Sequence, residues 1–357
     1  MISRRGDLGE DVVVRPLQAG ELAELRRVRA LSSDGGKVAF RPRHHGDDTA
    51  LLSLRSGESH DYVAVVGGEL VGAGSVSFSR VADRDRVIGL AWLSGLVVTP
   101  AWRGRGIARR LTMARLDAVS DRDGPHVVAA AVQAGNGASM ANAMRWADRI
   151  LGTVQVTPVR APHRAPGAAS GVSIRPVATA DLAAVAAGIR MAAKELSLAP
   201  VVDADDLARW LDVRVGVGGE ALRSYTVAVD ATGTVVAGLG LEHEYKLISM
   251  EVTRMPALLA AANVVVRVVP RNKLMRNINV RFAWFRPGHQ AAAQLLWRQV
   301  RWEVRDYATS VVRSVDPTGP LARALPAARW LPSTTLQIVI RDPAGSALAA
   351  LPIGAVV

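Results

Sequence analysis

The sequence predicts an α/β protein with mixed sheets, built from two similar domains in tandem. Two internal echoes and one glycine-opened helix predict it. Residues 12–25 read VVVRPLQAGELAEL, and residues 172–185 read VSIRPVATADLAAV. In each, a β-branched run meets Arg-Pro, then a helix start and an apolar period follow at the same spacing. Further on, Tyr62 to Gly74 (YVAVVGGELVGAG) resembles Tyr225 to Gly240 (YTVAVDATGTVVAGLG). Both alternate as strand pairs around a turn, Gly67-Gly68 in one and Asp230 to Gly233 in the other. The period is far longer than a solenoid repeat, so a whole domain is duplicated. Arg160 to Gly171, RAPHRAPGAASG, has the composition of a linker. The expected domains are therefore 1–159 and 172–357, joined by 160–171.

The first copy is expected to start with a strand at Val12 to Arg15 and a helix from about Glu21 to Ala30. Ser32 to Ser59 is polar and irregular. The hairpin around Gly67-Gly68 comes next. A turn at Ala82 to Asp85 leads into a long apolar strand, Val87 to Thr99. A glycine loop, a helix to about Val119, a strand at His126 to Val132 and a helix after Asn136 complete the pattern. Strands alternating with helices after an antiparallel meander indicate a mixed sheet.

Composition sets the bounds. The chain has 357 residues, long enough for two cores, and 49% of them are hydrophobic. There is no cysteine, which excludes disulfides, thiolate metal sites and a cysteine nucleophile. The formal charge is +12, but the arginines are dispersed and aromatic residues make up only 4%. No basic run and no stacking surface point to nucleic acid. The most apolar stretch, Met255 to Val269, is shorter than a membrane span and carries Asn263 and Arg267. The N-terminus Met-Ile-Ser-Arg-Arg-Gly-Asp has no apolar signal region. A cytoplasmic protein without membrane or nucleic-acid partners is the expectation.

The chemistry is concentrated in Leu96 to Leu111, LVVTPAWRGRGIARRL. An apolar strand ends at Pro100, and Gly104 and Gly106 open an amphipathic helix carrying Ile107, Leu111 and Leu116. A helix start offers unpaired N–H groups and a positive dipole end, and glycines let a phosphate come close. A Walker loop would need Gly-Lys-Ser/Thr, and a dinucleotide fingerprint would need a third glycine where Arg109 stands. The remaining pattern, Arg103-Gly104-Arg105-Gly106-Ile107-Ala108, resembles the coenzyme A signature of the GNAT (GCN5-related N-acetyltransferase) family. The preceding strand, Pro100 and the Asn136 helix also fit, over roughly residues 11–158.

The resemblance implies roles. Leu96, Val97 and Val98 would pair with the pantetheine arm like an added strand, and an amide near Val98 would polarise the thioester carbonyl. The amides of Gly104, Arg105, Gly106, Ile107, Ala108 and Arg109 would hold the pyrophosphate. Asn136 matches an asparagine that contacts the cofactor arm. Acetyl-coenzyme A would be the co-substrate, attacked directly by an amine acceptor without a covalent enzyme intermediate or a metal.

The pattern also departs from the family. The position of the usual tyrosine is Ala143, and Ser139 is the nearest hydroxyl in that helix. Ser139 reads best as a helix-surface or capping residue. No carboxylate lies on Gly89 to Thr99. Either water serves, or the groups come from elsewhere, or the protein is a silent coenzyme A-binding sensor or scaffold. His44, His45, Asp47 and Asp48 suit a solvated acceptor-side loop better than a metal site, since adjacent side chains diverge. Asp47, Asp48, Asp83 and Asp85 could supply a base or bind a cationic acceptor, but each reads better as a loop or turn residue. The second copy has only Phe285-Arg286-Pro287-Gly288-His289-Gln290 in place of the loop. It is left to pack, to shape the acceptor pocket or to form a homodimer, with Trp284, Trp297, Trp302 and Trp330 expected in core and interface.

Overall fold

A computed structural model of the chain describes residues 12–31, 39–45, 58–162, 164–167, 171–216, 218–266, 269–343, 345, 348 and 351–354. The first half contains β1 (Val13–Pro16), α1 (Leu22–Leu31), β2 (Ala39–His44), β3 (Glu58–Val66), β4 (Glu69–Asp83) and β5 (Arg86–Val98). It continues with α2 (Ile107–Ser120), β6 (His126–Gln133), α3 (Gly137–Ala143) and β7 (Arg149–Val159). The second half begins with β8 (Val172–Pro176), α4 (Leu182–Ala193), β9 (Ala199–Pro200) and α5 (Ala204–Leu211). A short hairpin, β10 (Arg214–Val215) and β11 (Glu220–Ala221), precedes β12 (Arg223–Asp230), β13 (Val235–Glu242) and β14 (Ile248–Arg254). Then come α6 (Ala257–Val266), β15 (Leu274–Met275), β16 (Asn277–Phe285), α7 (Gln290–Glu303), β17 (Ser310–Val315), α8 (Pro320–Ala324) and β18 (Thr334–Arg341).

The sequence echoes are physical repeats. Arg15 makes a bidentate pair with Glu21 (2.8 and 2.6 Å), and Arg175 makes the same pair with Asp181 (2.6 and 3.0 Å). Each carboxylate also accepts a backbone N–H three residues earlier, Gln18 at 2.9 Å and Ala178 at 2.7 Å, which fixes the helix entry. The first hairpin turns on Gly67 and Gly68, whose φ values of 56° and 85° suit a turn that matches strand twist. In the second hairpin, Asp230 Oδ1 accepts from the amides of Thr232 and Thr234.

All but five of these strands join one sheet in the order β1-β3-β4-β5-β6-β18-β7-β17-β16-β13-β12-β8, with β9 added beside β4. The middle of this order shows a reciprocal exchange. β18, from the end of the second half, pairs with β6 of the first half. β7, from the end of the first half, pairs with β17 of the second. β7 and β18 also pair with each other. Two further strands cross between the halves, β2 onto β14 and β9 onto β4. Ile338 and Ile340 of β18 are fully buried among Leu90, Val127 and Ala129, so the first core is completed by the C-terminal strand.

Several elements differ from expectation. β2 lies within the stretch read as irregular; its Arg41, Pro42 and Arg43 hid a strand whose pairing partner comes from the other half. Asp47 and Asp48 lie outside the described residues. Among the described residues of the apolar stretch at 255–269 is the ten-residue α6, with Leu258 and Val264 exposed. No helix among the described residues is long and apolar enough to cross a membrane. Trp284 and Trp297 are buried as expected, but Trp330 is 67% exposed and belongs to no core.

The exchange makes each half depend on the other. A chain ending at residue 160 lacks β18, and one beginning at 172 lacks β7. Each alone is expected to unfold without a cooperative transition, while co-expressed halves should recover one. Circular dichroism melts check this. A 1–160 fragment with the Tm and cooperativity of the full chain would show that the exchange does not hold the first half together.

Candidate functional site

α1 and α2 cover opposite faces of the first-half sheet. Leu25 and Val28 of α1 pack on Val63, Leu70 and Ala73. Ile107 and Leu111 of α2 pack on Ala64, Val66, Val71 and Val98. β5 and β6 run parallel and pair only from Gly89 with His126 to Trp92 with Ala129. On its other edge β6 pairs with β18, from Val128 with Arg341 to Gln133 with Leu336. β5 stays with β4 as far as Val98 with Gly72. Among the described residues no strand covers the other edge of Leu93 to Val98. The result is a notch lined by backbone N–H and C=O groups, and Leu96, Val97 and Val98 form its outer part.

A bulge sits in this notch. The β4/β5 register shifts between Ala73 and Ser75, and Gly95 has φ 61°. Arg115 of α2 holds it from below. It is 2% exposed and donates through Nη1 to the carbonyls of Ser75 (3.3 Å) and Ser94 (3.2 Å). Nε donates to the Leu111 carbonyl, and Nη2 to Thr112 Oγ1. Gly74 leaves room for it, since a Cβ there would lie 3.1 Å from the guanidinium carbon. No carboxylate pairs with Arg115 among the described residues, and burial lowers its pKa to about 10. The sequence reading passed over Arg115, although a charge eight residues after Ile107 on a helix's buried stripe was a visible signal.

The strand leads directly into the glycine loop. Pro100 to Trp102 form a 3-10 turn, and Arg103 Nε reaches back to the Val98 carbonyl at 3.1 Å. Gly104 and Gly106 each have φ 78°, a left-handed conformation that strains any other residue. A Cβ at either glycine would meet nothing within 4 Å, so the space before the loop is open. Gly106 caps α2 without a side-chain hydrogen bond, and the first helical bond runs from Arg110 N–H to Gly106 O. The amides of Ile107, Ala108 and Arg109 therefore face outward at the positive end of the helix. Arg105 stacks on Trp102 at 4.6 Å. Arg105, Arg109 and Arg110 flank Gly106 around an open concavity of about 500 Å³ that also touches Met113, Ala114 and Asp117.

The remaining residues singled out in the sequence fall into place individually. Asn136 caps α3, its Oδ1 accepting the Ser139 N–H at 3.1 Å. Ser139 is thus a first-turn residue held through its backbone. Ala143 is buried among Leu116, Val132 and Met140. Asp83 is 1% exposed, bonded to Ser197 and Arg86 at the far end of the β4/β5 hairpin, and Asp85 pairs with Lys194. Neither reaches the notch. His45 bonds Ser249 of β14 (2.8 Å). His44 packs near Arg26 and Arg29, which together with burial hold its pKa below the usual histidine value.

The second half keeps the scaffold and lacks the loop. β16 and β17 pair in parallel only from Asn277 with Ser310 to Asn279 with Val312. A register shift between Gly238 and Gly240 recurs, with Phe282 at φ 48° in the place of Gly95. Tyr225 Oη donates to the Phe282 carbonyl at 2.8 Å. However, residues 99–106 of the first half correspond to only 286–289 here, before α7 begins.

A parted parallel strand pair, a bulge and a glycine-opened helix follow one another in the first half. Residues 27–161 match the model of the Acetyltransferase (GNAT) family and form a domain of that family. No curated protein matches the sequence. Among solved structures, a tandem GNAT protein from the clavulanic acid biosynthesis pathway is 16% identical, with TM-score 0.56, covering 93% of this chain and 98% of that one. A GCN5-related N-acetyltransferase from Sphaerobacter thermophilus is 15% identical, with TM-score 0.58 and coverage of 93% and 95%. Saccharomyces cerevisiae N-myristoyltransferase with bound myristoyl-CoA is 9% identical, with TM-score 0.63 and coverage of 92% and 82%. At these identities the likeness shows the fold: two GNAT-like halves in tandem.

Arg115→Met keeps the bulk of the side chain and leaves the carbonyls of Ser75 and Ser94 without their donor. The variant is expected to lose about 1–3 kcal/mol of stability by denaturant titration. An unchanged midpoint and slope would show that the bulge holds itself.

Proposed function

We propose that the protein is an acyl-coenzyme A-dependent N-acyltransferase that moves an acetyl group to an amine by direct attack. The continuity of the open β5 edge with the glycine-opened helix carries this reading. Leu96, Val97 and Val98 would pair with the pantetheine arm, and a β5 amide at the bulge would polarise the thioester carbonyl. The amides of Gly104, Arg105, Gly106, Ile107, Ala108 and Arg109 would hold the pyrophosphate. Arg105, Arg109 and Arg110 add positive charge around it. Arg103, tied to Val98, would fix the angle between strand and loop, and Asn136 would order the helix facing the cofactor arm. The first half alone would bind the cofactor, since the short connection at 286–289 has no such cradle. The second half supplies β18 and, through β14, a wall beside β2 on the acceptor side.

The test is acetyl-coenzyme A turnover by the full chain across a panel of amines, with hydrolysis as background. Transfer above hydrolysis to at least one amine is expected; binding without transfer to any amine would contradict the reading. Gly106→Asp should weaken acetyl-coenzyme A binding by at least about tenfold, roughly 1.4 kcal/mol, in calorimetry. Gly106→Ala separates backbone strain from charge and should lose less. Equal affinity for the aspartate variant and the wild type would remove the pyrophosphate from this loop. Ser139→Ala should leave turnover nearly unchanged, whereas a fall of roughly 10²–10⁴ would make its hydroxyl a proton donor to the thiolate.

A further inference from the structure

The sheet face under α1 is apolar, built from Val63, Leu70, Ala73 and Val97, except for one row. Asp61 of β3 stands opposite Ser75 of β4, and Ser75 stands opposite Ser94 of β5. Directly opposite residues in antiparallel strands share a face, so the three form a polar line ending at the notch. Ser75 Oγ donates to Asp61 Oδ1 at 2.5 Å and accepts from Arg29 Nη2 at 3.1 Å; Arg29 Nη2 lies 3.4 Å from Asp61 Oδ1. The Asp61 side chain and the Ser75 residue are each 6% exposed, whereas Ser94 and Gly95 are open to solvent. A Cβ on Gly95 would sit 3.4 Å from Ser75 Oγ and from Arg29 Nη2. The missing side chain at the bulge therefore leaves room beside Ser75 Oγ and Arg29 on the α1 face. The other face of the bulge is closed by Arg115.

Burying a carboxylate and a hydroxyl in an apolar layer is costly unless they are used or fully paired. Here the line runs from the interior to the point where β5 is bare. We propose, resting on the acyl-transfer reading, that Asp61 acts through Ser75 as the proton acceptor for the amine, which docks over Gly95 beside Ser94. The acceptor's ammonium gives a proton to Ser75 Oγ, which passes its own proton to the Asp61 carboxylate. The freed nitrogen lone pair forms the C–N bond at the acyl carbonyl. The C–S bond breaks with its electron pair on sulfur, and a second nitrogen proton goes to the thiolate. Asp61 then returns its proton to water. Arg29 keeps Asp61 oriented, and its charge disfavours the ammonium over the neutral amine.

Arg29 of α1 reaches this row, Arg115 closes the bulge from across the sheet, and His44 of β2 lies near Arg26 and Arg29. His44 is the competing proton acceptor. Neither of its ring nitrogens has a hydrogen-bond partner among the described residues.

The experiment measures kcat/KM against pH for the full chain with its best amine, alongside acetyl-coenzyme A affinity and Tm. Wild type is expected to be nearly flat from pH 6 to about 9. Asp61→Asn and Ser75→Ala should lose roughly 10–100-fold at pH 7 and rise about tenfold per pH unit toward the amine's own pKa. Cofactor affinity should hold. Ser75→Thr restores a hydroxyl and should restore the flat profile, which a merely structural role for Ser75 would not explain. If Asp61→Asn misfolds, the Ser75 pair decides alone. A wild type that binds acetyl-coenzyme A and transfers nothing overturns the acyl-transfer reading and this assignment with it. A wild type that transfers, while Asp61→Asn and Ser75→Ala keep its rate and profile, overturns the assignment alone. Loss of the flat profile only in His44→Ala would move the proton to His44 and also overturn it.

Discussion

Beyond Trp92 and Ala129, β5 and β6 stop sharing hydrogen bonds, and a bulge in β5 marks where they part. β18 pairs with the other edge of β6 along most of its length and holds that strand in the sheet. Arg115 takes the carbonyls of Ser75 and Ser94, which sets the bulge and turns β5 outward. The cost of such a buried guanidinium is offset by four hydrogen-bond acceptors and by the space that Gly74 leaves. The bare strand edge, the access to Ser75 and the approach to the glycine loop all follow from this parting.

The tandem architecture supports the same feature. β18 comes from the far end of the chain, and Leu348 and Ile353 close the core under β5 with Leu90 and Leu198. The second half has kept the parallel pair, the bulge and the helix after β16, but its connection is too short to form a cradle. The second half supplies the strand that pairs with the far edge of β6 and the sheet edge on which β2 is built.

The sequence made the architecture legible where local chemistry specifies it. The Arg-Pro echo carried the Arg15–Glu21 and Arg175–Asp181 pairs, the hairpins were marked by Gly67-Gly68 and Asp230, and the glycine loop stood out by Gly104 and Gly106. The exchange of β7 and β18 was not legible, because strand partners chosen across some 180 residues leave no local mark. β2 was hidden for the same reason. The polar row was harder still. Asp61, Ser75 and Ser94 lie on three strands and are related only by register, so each looks like an ordinary residue of an alternating strand. Asp83 and Asp85 drew attention by being carboxylates near the right strand, yet that strand is long and they sit at its other end.

The central claim is that coenzyme A occupies the notch and the loop of the first half. Amide hydrogen exchange of the full chain, with and without acetyl-coenzyme A, tests it most directly. The account predicts added protection at residues 93–98 and 104–109, where the ligand would take the free amides, and none at 286–293. Unchanged exchange at 104–109 under saturating ligand, or protection appearing around Gly288 instead, would contradict it.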